Sequence, residues 1–186
     1  MRVLGVDPGL GRTGVALVTG GPGALRLDHV TCLETLPGED DGTRLLALSR
    51  ELAGLARRLR PEVAAVERLY FSTNRRTAMR VAQARGVILC TLAGAGVPVA
   101  EYTPNEVKES IAGYGAAGKR QVIRMCATLL AVERIEGPDD AADACALAIC
   151  HHHRGGLRRA AAGGLPRMAP ALAAAVAAAR AGVRAR

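Results

Sequence analysis

Aromatic side chains are nearly missing from this chain. Its 186 residues include no Trp, one Phe and three Tyr. A core built from it must be aliphatic and Ala-rich, so each exposed aromatic becomes informative. Lysine is scarce too: Lys108 and Lys119 are the only two, against 23 Arg. The five cysteines (Cys32, Cys90, Cys126, Cys145, Cys150) form no C-x-x-C pair. An odd count without metal-ligand spacing reads as reduced, mostly buried thiols in a cytoplasmic protein. No uncharged apolar run reaches the ~18 residues a membrane span needs. The opening MRVLGVDPGLG lacks a secretory leader's long apolar stretch and small-residue cleavage site. Acid is missing from one stretch: residues 154–186 carry seven Arg and no Asp or Glu. The net charge of +8 suggests an anionic partner, yet residues 1–153 hold 18 basic against 17 acidic residues. A nucleic-acid surface on that body must come from local clustering, with the tail as an extra handle.

What is present suits one compact domain plus an extension, with 49% hydrophobic residues to build a core. Residues 2–7 (RVLGVD) read as a buried strand ended by Pro8-Gly9. Residues 13–19 and 25–34 read as two more, joined through Gly20-Gly21-Pro22-Gly23, a link that favours a hairpin. Leu45, Leu48, Leu52, Leu55 and Leu59 repeat at steps of three and four, which predicts an amphipathic helix stopped by Pro61. A short strand at 63–67, a helix at 74–93 and a strand at 97–101 follow. Three helical segments come next, near 104–112, 118–133 and 138–153, with a Gly-rich link at 113–118. Hairpins first and strand–helix alternation second predict an α/β fold, a mixed five-stranded sheet flanked by helices. The expected compact domain is 1–153. The Ala/Arg-rich tail 154–186 offers little surface to bury and is expected to hold little stable structure.

Asp7 and Glu67 each end an apolar strand. Parallel strands deliver their carboxyl ends to one sheet edge, where two such carboxylates can meet, although either acid alone fits a solvent-facing strand exit equally well. Asp139, Asp140 and Asp143 crowd the first turn of the last helix, where its dipole favours acids. That explanation suffices for Asp139. Asp140 and Asp143 lie three apart, on the face continued by Ala144, Leu147 and Cys150, where acids are costly unless a cation neutralises them. Four carboxylates without Cys form a hard oxygen site suited to Mg²⁺ or Mn²⁺. Two such ions ~3.5–4 Å apart can activate water and stabilise a leaving oxygen in phosphodiester hydrolysis. His151-His152-His153 fits a helix end better than a metal site.

The opening DPGLGRTG (7–14) resembles the first strand and turn of RuvC-type Holliday-junction resolvases. VERLYFSTN (66–74) resembles that family's second acidic segment, and QARG (83–86) lies in the helix after it. YTPNEVK (102–108) and GKRQV (118–122) resemble its two Lys-bearing segments, and DAADA (140–144) its closing acidic pair. The match runs in order over roughly residues 1–153. The resemblance implies a ribonuclease-H-like fold, a homodimer, and paired symmetric nicks across four-way DNA junctions in recombination and repair. It implies two Mg²⁺ per site, with Mn²⁺ as a substitute, held by Asp7, Glu67, Asp140 and Asp143. Spacing chooses Asp140 over Asp139, though the doublet leaves a second possibility. The family's functional lysines fall on Lys108 and Lys119, with Lys119 in a catalytic role. A branch-migration helicase complex of the RuvA and RuvB type is the implied partner.

The family also places an aromatic wedge after the second acid. Tyr70 stands three residues beyond Glu67, with Phe71 as the fallback. Arg68, Arg75, Arg76, Arg80 and Arg85 follow without an acid between them and could bind phosphates, with Arg75 and Arg76 the first choices. For the dimer interface, the 74–93 helix offers Met79, Ala82, Gly86 and Leu89; packing of that face on the chain's own sheet is the alternative. An actin-like or hexokinase-like ATPase shares the opening turn but would need a second lobe. A ribosomal-RNA-processing nuclease shares fold and acids, and the wedge and lysines speak against it. A non-catalytic junction-binding module would not need all four acids.

Overall fold

The computed structural model describes residues 1–21, 23–68 and 75–162. Its α/β body, Met1–Gly155, is built on one five-stranded sheet. The strands are β1 (Arg2–Asp7), β2 (Arg12–Gly21), β3 (Ala24–Glu34), β4 (Val63–Glu67) and β5 (Val99–Tyr102), in the order β3-β2-β1-β4-β5. β1 pairs antiparallel with β2 and parallel with β4; β2–β3 is antiparallel and β4–β5 parallel. The expected mixed sheet is therefore present. The last strand begins two residues later than the sequence suggests, at Val99. Val97 and Pro98 precede it, and Pro98 has no N–H for a ladder, although its carbonyl accepts from Ala64 N–H at 2.8 Å.

The helices are α1 (Asp41–Leu59), α2 (Arg75–Gly94), α3 (Pro104–Ala112), α4 (Lys119–Leu129) and α5 (Asp139–Ala162). α1 begins four residues before its leucine repeat because Asp40 caps it, its side chain accepting from Thr43 N–H at 3.0 Å. Thr103 and Glu106 form a capping box at α3, with Pro104 in the first turn. α4 stops short of 133 because the chain turns left-handed at Ala131. α5 continues to Ala162, beyond the expected end at 153; residues 163–186 lie outside the described residues.

Strand alternation sorts the core into two layers. Leu4, Val6, Val15, Leu17, Ala64 and Val66 face α1 and α2, meeting Leu48, Leu52, Ile88 and Leu92. Val3, Ala16, Val18, Val63 and Ala65 face the other way, toward α3, α4 and α5. Tyr102, fully buried in that second layer, donates or accepts a 2.8 Å hydrogen bond with His151 Nδ1. All five cysteines are free thiols. Burial pushes Cys126 and Cys145 up to about 12, so neither is a ready nucleophile. No described helix is long and apolar enough to cross a membrane.

Candidate active site

The alternation that sorts the core also aims the acids. In β1, Val3 faces the α5 layer and Leu4 and Val6 the opposite one, so Asp7 returns to the α5 side. In β4, Val63 and Ala65 share that side, and Glu67 follows them. The parallel register sets Val6 beside Val66, and the next step brings Asp7 alongside Glu67. Their carboxyl groups share a hydrogen bond.

Two glycines bring the remaining acids close. A Cβ on Gly14 of β2 would stand 1.8 Å from the Asp140 carbonyl oxygen, and one on Gly5 of β1 would stand 1.8 Å from that of Ala144. Only bare backbone at both positions lets the first turns of α5 rest directly on the sheet. Gly14 is also the β2 partner of Asp7. The approach delivers Asp140 and Asp143 to the carboxyl ends of β1 and β4.

The turn after Asp7 is braced from three sides. Thr13 Oγ1 donates to the Gly9 carbonyl at 2.6 Å, and Thr35 Oγ1 to that of Leu10 at 2.5 Å. Buried Arg44 of α1 supports Thr35 through Nε at 3.0 Å. Arg12 closes the turn and places Nε 3.2 Å from Asp140 Oδ2.

The electrostatics are those of crowded acids. Burial, then the charges of Glu67, Asp143 and Asp140, push Asp7 up to about 8. Burial also raises Glu67, opposed by its hydrogen bond to Asp7 and by Lys119. Lys119 Nζ lies 3.0 Å from Asp143 and 3.2 Å from Asp139. Burial pulls its pKa down, but the two aspartates more than offset this and raise it. Asp7, Glu67, Asp143, Lys108 and Lys119 line a common cleft of about 310 Å³, with Val107, Val122 and Leu147 as apolar wall.

Among the described residues no three His, Cys, Asp or Glu side chains form a ready-made metal cage. Asp140 and Asp143 are drawn instead to Arg12 and Lys119. The donor set nevertheless suits a divalent ion: hard oxygens only, with a proton and two side-chain cations holding together charges that a dication would neutralise. Asp139 and Asp140 are clearly distinguished by exposure, 69% against 28% of the side chain.

The profile of the family described as crossover junction endodeoxyribonuclease RuvC matches residues 3–151. This chain belongs to that family. The RuvC of Pelotomaculum thermopropionicum is 47% identical over 153 residues, covering 82% of this chain and 93% of the relative. That of Chloroflexus aurantiacus is 50% identical over 151 residues, covering 81% and 92%. Among solved structures, Thermus thermophilus RuvC in complex with Holliday junction substrate superposes with a TM-score of 0.80 at 33% identity, covering 85% of this chain and 96% of that one. The yeast mitochondrial Holliday junction resolvase Ydc2 shares the fold, at a TM-score of 0.64 and 16% identity. The α/β sheet is therefore the ribonuclease-H-like fold of RuvC. The protein is a crossover (Holliday) junction endodeoxyribonuclease, a DNA-cutting hydrolase of recombination and repair that depends on divalent metal.

Tyr70 and Phe71 lie outside the described residues, as do the side chains of Arg75 and Arg76, whose backbone opens α2. Of the other arginines in that run, Arg80 pairs with Asp41 at 3.2 Å, and Arg68 and Arg85 both pair with Glu101. The three histidines diverge. His151 meets Tyr102, His152 Nε2 the Val18 carbonyl at 3.1 Å, and His153 Nδ1 the Ser110 carbonyl at 3.1 Å. Sequence reasoning missed Arg12. Its only signal was its place at the end of the turn that Asp7 begins.

Proposed function

We propose that the protein resolves four-way junctions by paired symmetric nicks, as a homodimer with one two-metal site in each protomer. The observation that carries the site assignment is the shared edge: Asp7 and Glu67 side by side at parallel strand ends, with Asp143 and Asp140 laid against them by the glycine contacts of α5. Asp7, Glu67, Asp140 and Asp143 would hold two Mg²⁺, with Mn²⁺ as a substitute, and the ions would supply an activated water and neutralise charge at the leaving oxygen.

The chain's own side chains do the rest. Asp7 must surrender its proton for all four carboxylates to serve as ligands. Lys119, released from Asp143 and Asp139, places a compact charge on the phosphate being cut. Lys108, on α3 in the same cleft, holds the DNA backbone. Tyr70 is the proposed wedge, with Phe71 as its neighbour in reserve. Opening one base step costs a few kcal/mol, and stacking on an aromatic returns ~1–3 kcal/mol per base, so a loosened junction is accepted and intact duplex refused. Arg75 and Arg76, in the same segment, reach phosphates. Residues 154–186 form a basic extension to the 1–153 nuclease domain and add attraction without selectivity. A RuvA and RuvB type branch-migration complex is the partner that delivers junctions, and the free thiols suit a cytoplasmic setting.

The test is single-turnover cleavage of a labelled four-way junction against linear duplex in Mg²⁺. Asp7→Asn, Glu67→Gln, Asp140→Asn and Asp143→Asn are each expected to abolish cutting while junction binding persists, and Asp139→Asn to retain substantial activity. Tyr70→Ala should lower cutting far more than binding, and Tyr70→Phe should be nearly silent. Full activity in any of the four acid variants overturns the assignment. Wild-type rates in both Tyr70→Ala and Phe71→Ala remove the wedge.

A further inference from the structure

One ionic network beside the cleft has no role in the scheme above. Arg85 lies on α2 next to Ala84, which is fully buried against the sheet. Its side chain is only 18% exposed. Its Nε donates to the main-chain carbonyl of Glu67 at 3.2 Å, and its Nη2 pairs with Oε1 of Glu101 on β5. Arg68, the residue after Glu67, completes the arrangement. Its N–H donates to the Tyr102 carbonyl at 2.7 Å, and its Nε lies 3.8 Å from Glu101 Oε2. The end of β4 is thus held by β5 on one side and by α2 on another.

A mostly buried guanidinium that needed only charge neutralisation would be satisfied by Glu101. The second bond runs to a particular carbonyl, that of an acid in the cleft, at the point where the chain leaves the sheet. We infer that Arg85 is a positioning residue for Glu67. Its planar fork ties the last residue of β4 to Glu101, and so sets the direction in which the Glu67 carboxylate enters the cleft. This rests on the proposed reading of Glu67 as a metal-holding carboxylate. Lysine cannot replace the arginine, because an ammonium is a single point charge and lacks the fixed fork that spans two acceptors. Carboxylate ligands owe part of their affinity to such outer partners, whose loss weakens metal binding by roughly 10–100-fold.

The experiment is Mn²⁺ binding to the DNA-free, full-length protein by electron paramagnetic resonance, beside single-turnover cleavage, junction affinity without metal, and thermal unfolding. Arg85→Lys is expected to weaken Mn²⁺ binding roughly tenfold and to slow cleavage, with metal-free junction affinity unchanged. Glu101→Gln keeps the shape and removes the charge; it should move Mn²⁺ affinity the same way by a smaller factor. It carries the test if Arg85→Lys does not fold. Wild-type Mn²⁺ affinity in a folded Arg85→Lys protein, whatever its melting temperature, overturns the inference. Lost junction affinity with intact Mn²⁺ binding also overturns it, by making Arg85 a phosphate contact. Glu67→Gln is the control that separates the two readings. If it too binds Mn²⁺ like wild type, the assignment of Glu67 fails. If it binds weakly while Arg85→Lys does not, only the positioning role fails.

Discussion

At the scale of single residues, the proposed site sets protons, side-chain cations and divalent ions in contest for the same carboxylates. Asp7 shows the sign of that contest. Its folded pKa is raised to about 8, so the folded protein holds this proton more tightly than the unfolded chain does. Without metal, the proton's contribution to stability is complete below about pH 4, the ordinary Asp range, and is lost as pH rises toward 8. A divalent ion needs the ionised carboxylate and must displace the proton. The gain in melting temperature on adding Mg²⁺ is therefore expected to grow between about pH 6 and about pH 8. Asp7→Asn should flatten that growth. Thermal unfolding at the two pH values, with Mg²⁺ and with a chelator, checks it; an equal gain at both would show that no raised carboxyl competes with the metal. Lys119 belongs to the same contest. Lys119→Gln removes a cation that holds Asp139 and Asp143 and is expected to cost roughly 10²-fold in cleavage, the lower range for a positioned charge or proton donor. Single-turnover rates at saturating junction check this, and a rate within a few fold of wild type would exclude a catalytic role.

At the scale of elements, the decisive contact is the one between α5 and the sheet. Most helix–sheet packing is mediated by side chains. Here Gly14 and Gly5 bring the helix backbone to the strands, and a methyl at either position would overlap a carbonyl oxygen at 1.8 Å. Gly14→Ala must push the first turn of α5 away from β1 and β2. The expected cost is about 1–3 kcal/mol, the range for overpacking a close-packed interior, together with a marked loss of cleavage as Asp140 and Asp143 withdraw from Asp7. Denaturant unfolding and cleavage of the same variant measure both. Gly86→Ala on α2 is the contrast, because nothing lies within 4 Å of a Cβ there; in a monomer it should be neutral or slightly stabilising. Unaltered stability in Gly14→Ala would mean that α5 is not seated by these contacts.

At the scale of the whole molecule, α2 presents two faces. One buries Ala84, Ile88 and Leu92 in the chain's own core. Of the face chosen from the sequence, Leu89 packs against that same core, while Met79 stays 65% exposed and Gly86, two turns along, has nothing within 4 Å of where a Cβ would stand. A cleaver of two opposed strands needs two sites related by a two-fold axis. Sedimentation at micromolar concentration is expected to give a dimer, with Met79→Glu shifting it toward monomer. A monomer with and without junction DNA would count against paired nicking by one assembly.

Much of this protein was legible in its sequence, because it depends on period and order. The short apolar runs of RVLGVD and VAAVE specify buried strands ending in acids, and the leucine steps of α1 specify a helix with one apolar side. The step of three between Asp140 and Asp143 puts both on one helix face, and Asp140 is the less exposed of the doublet. Glycine at positions 5 and 14 gave no warning in the sequence that a helix backbone would lie against it, since that close approach exists only once the distant Asp140 and Ala144 of α5 return to the sheet. The arginines show the same limit from the other side. As a run they read as free positive charge, but folding brings Asp41 and Glu101 to Arg80, Arg68 and Arg85. Local sequence determined which residues end strands and share helix faces, because those follow from repeats of two and 3.6 residues. Tertiary structure decided which charges meet, because ion pairing depends on distances of a few ångströms between residues far apart in the chain.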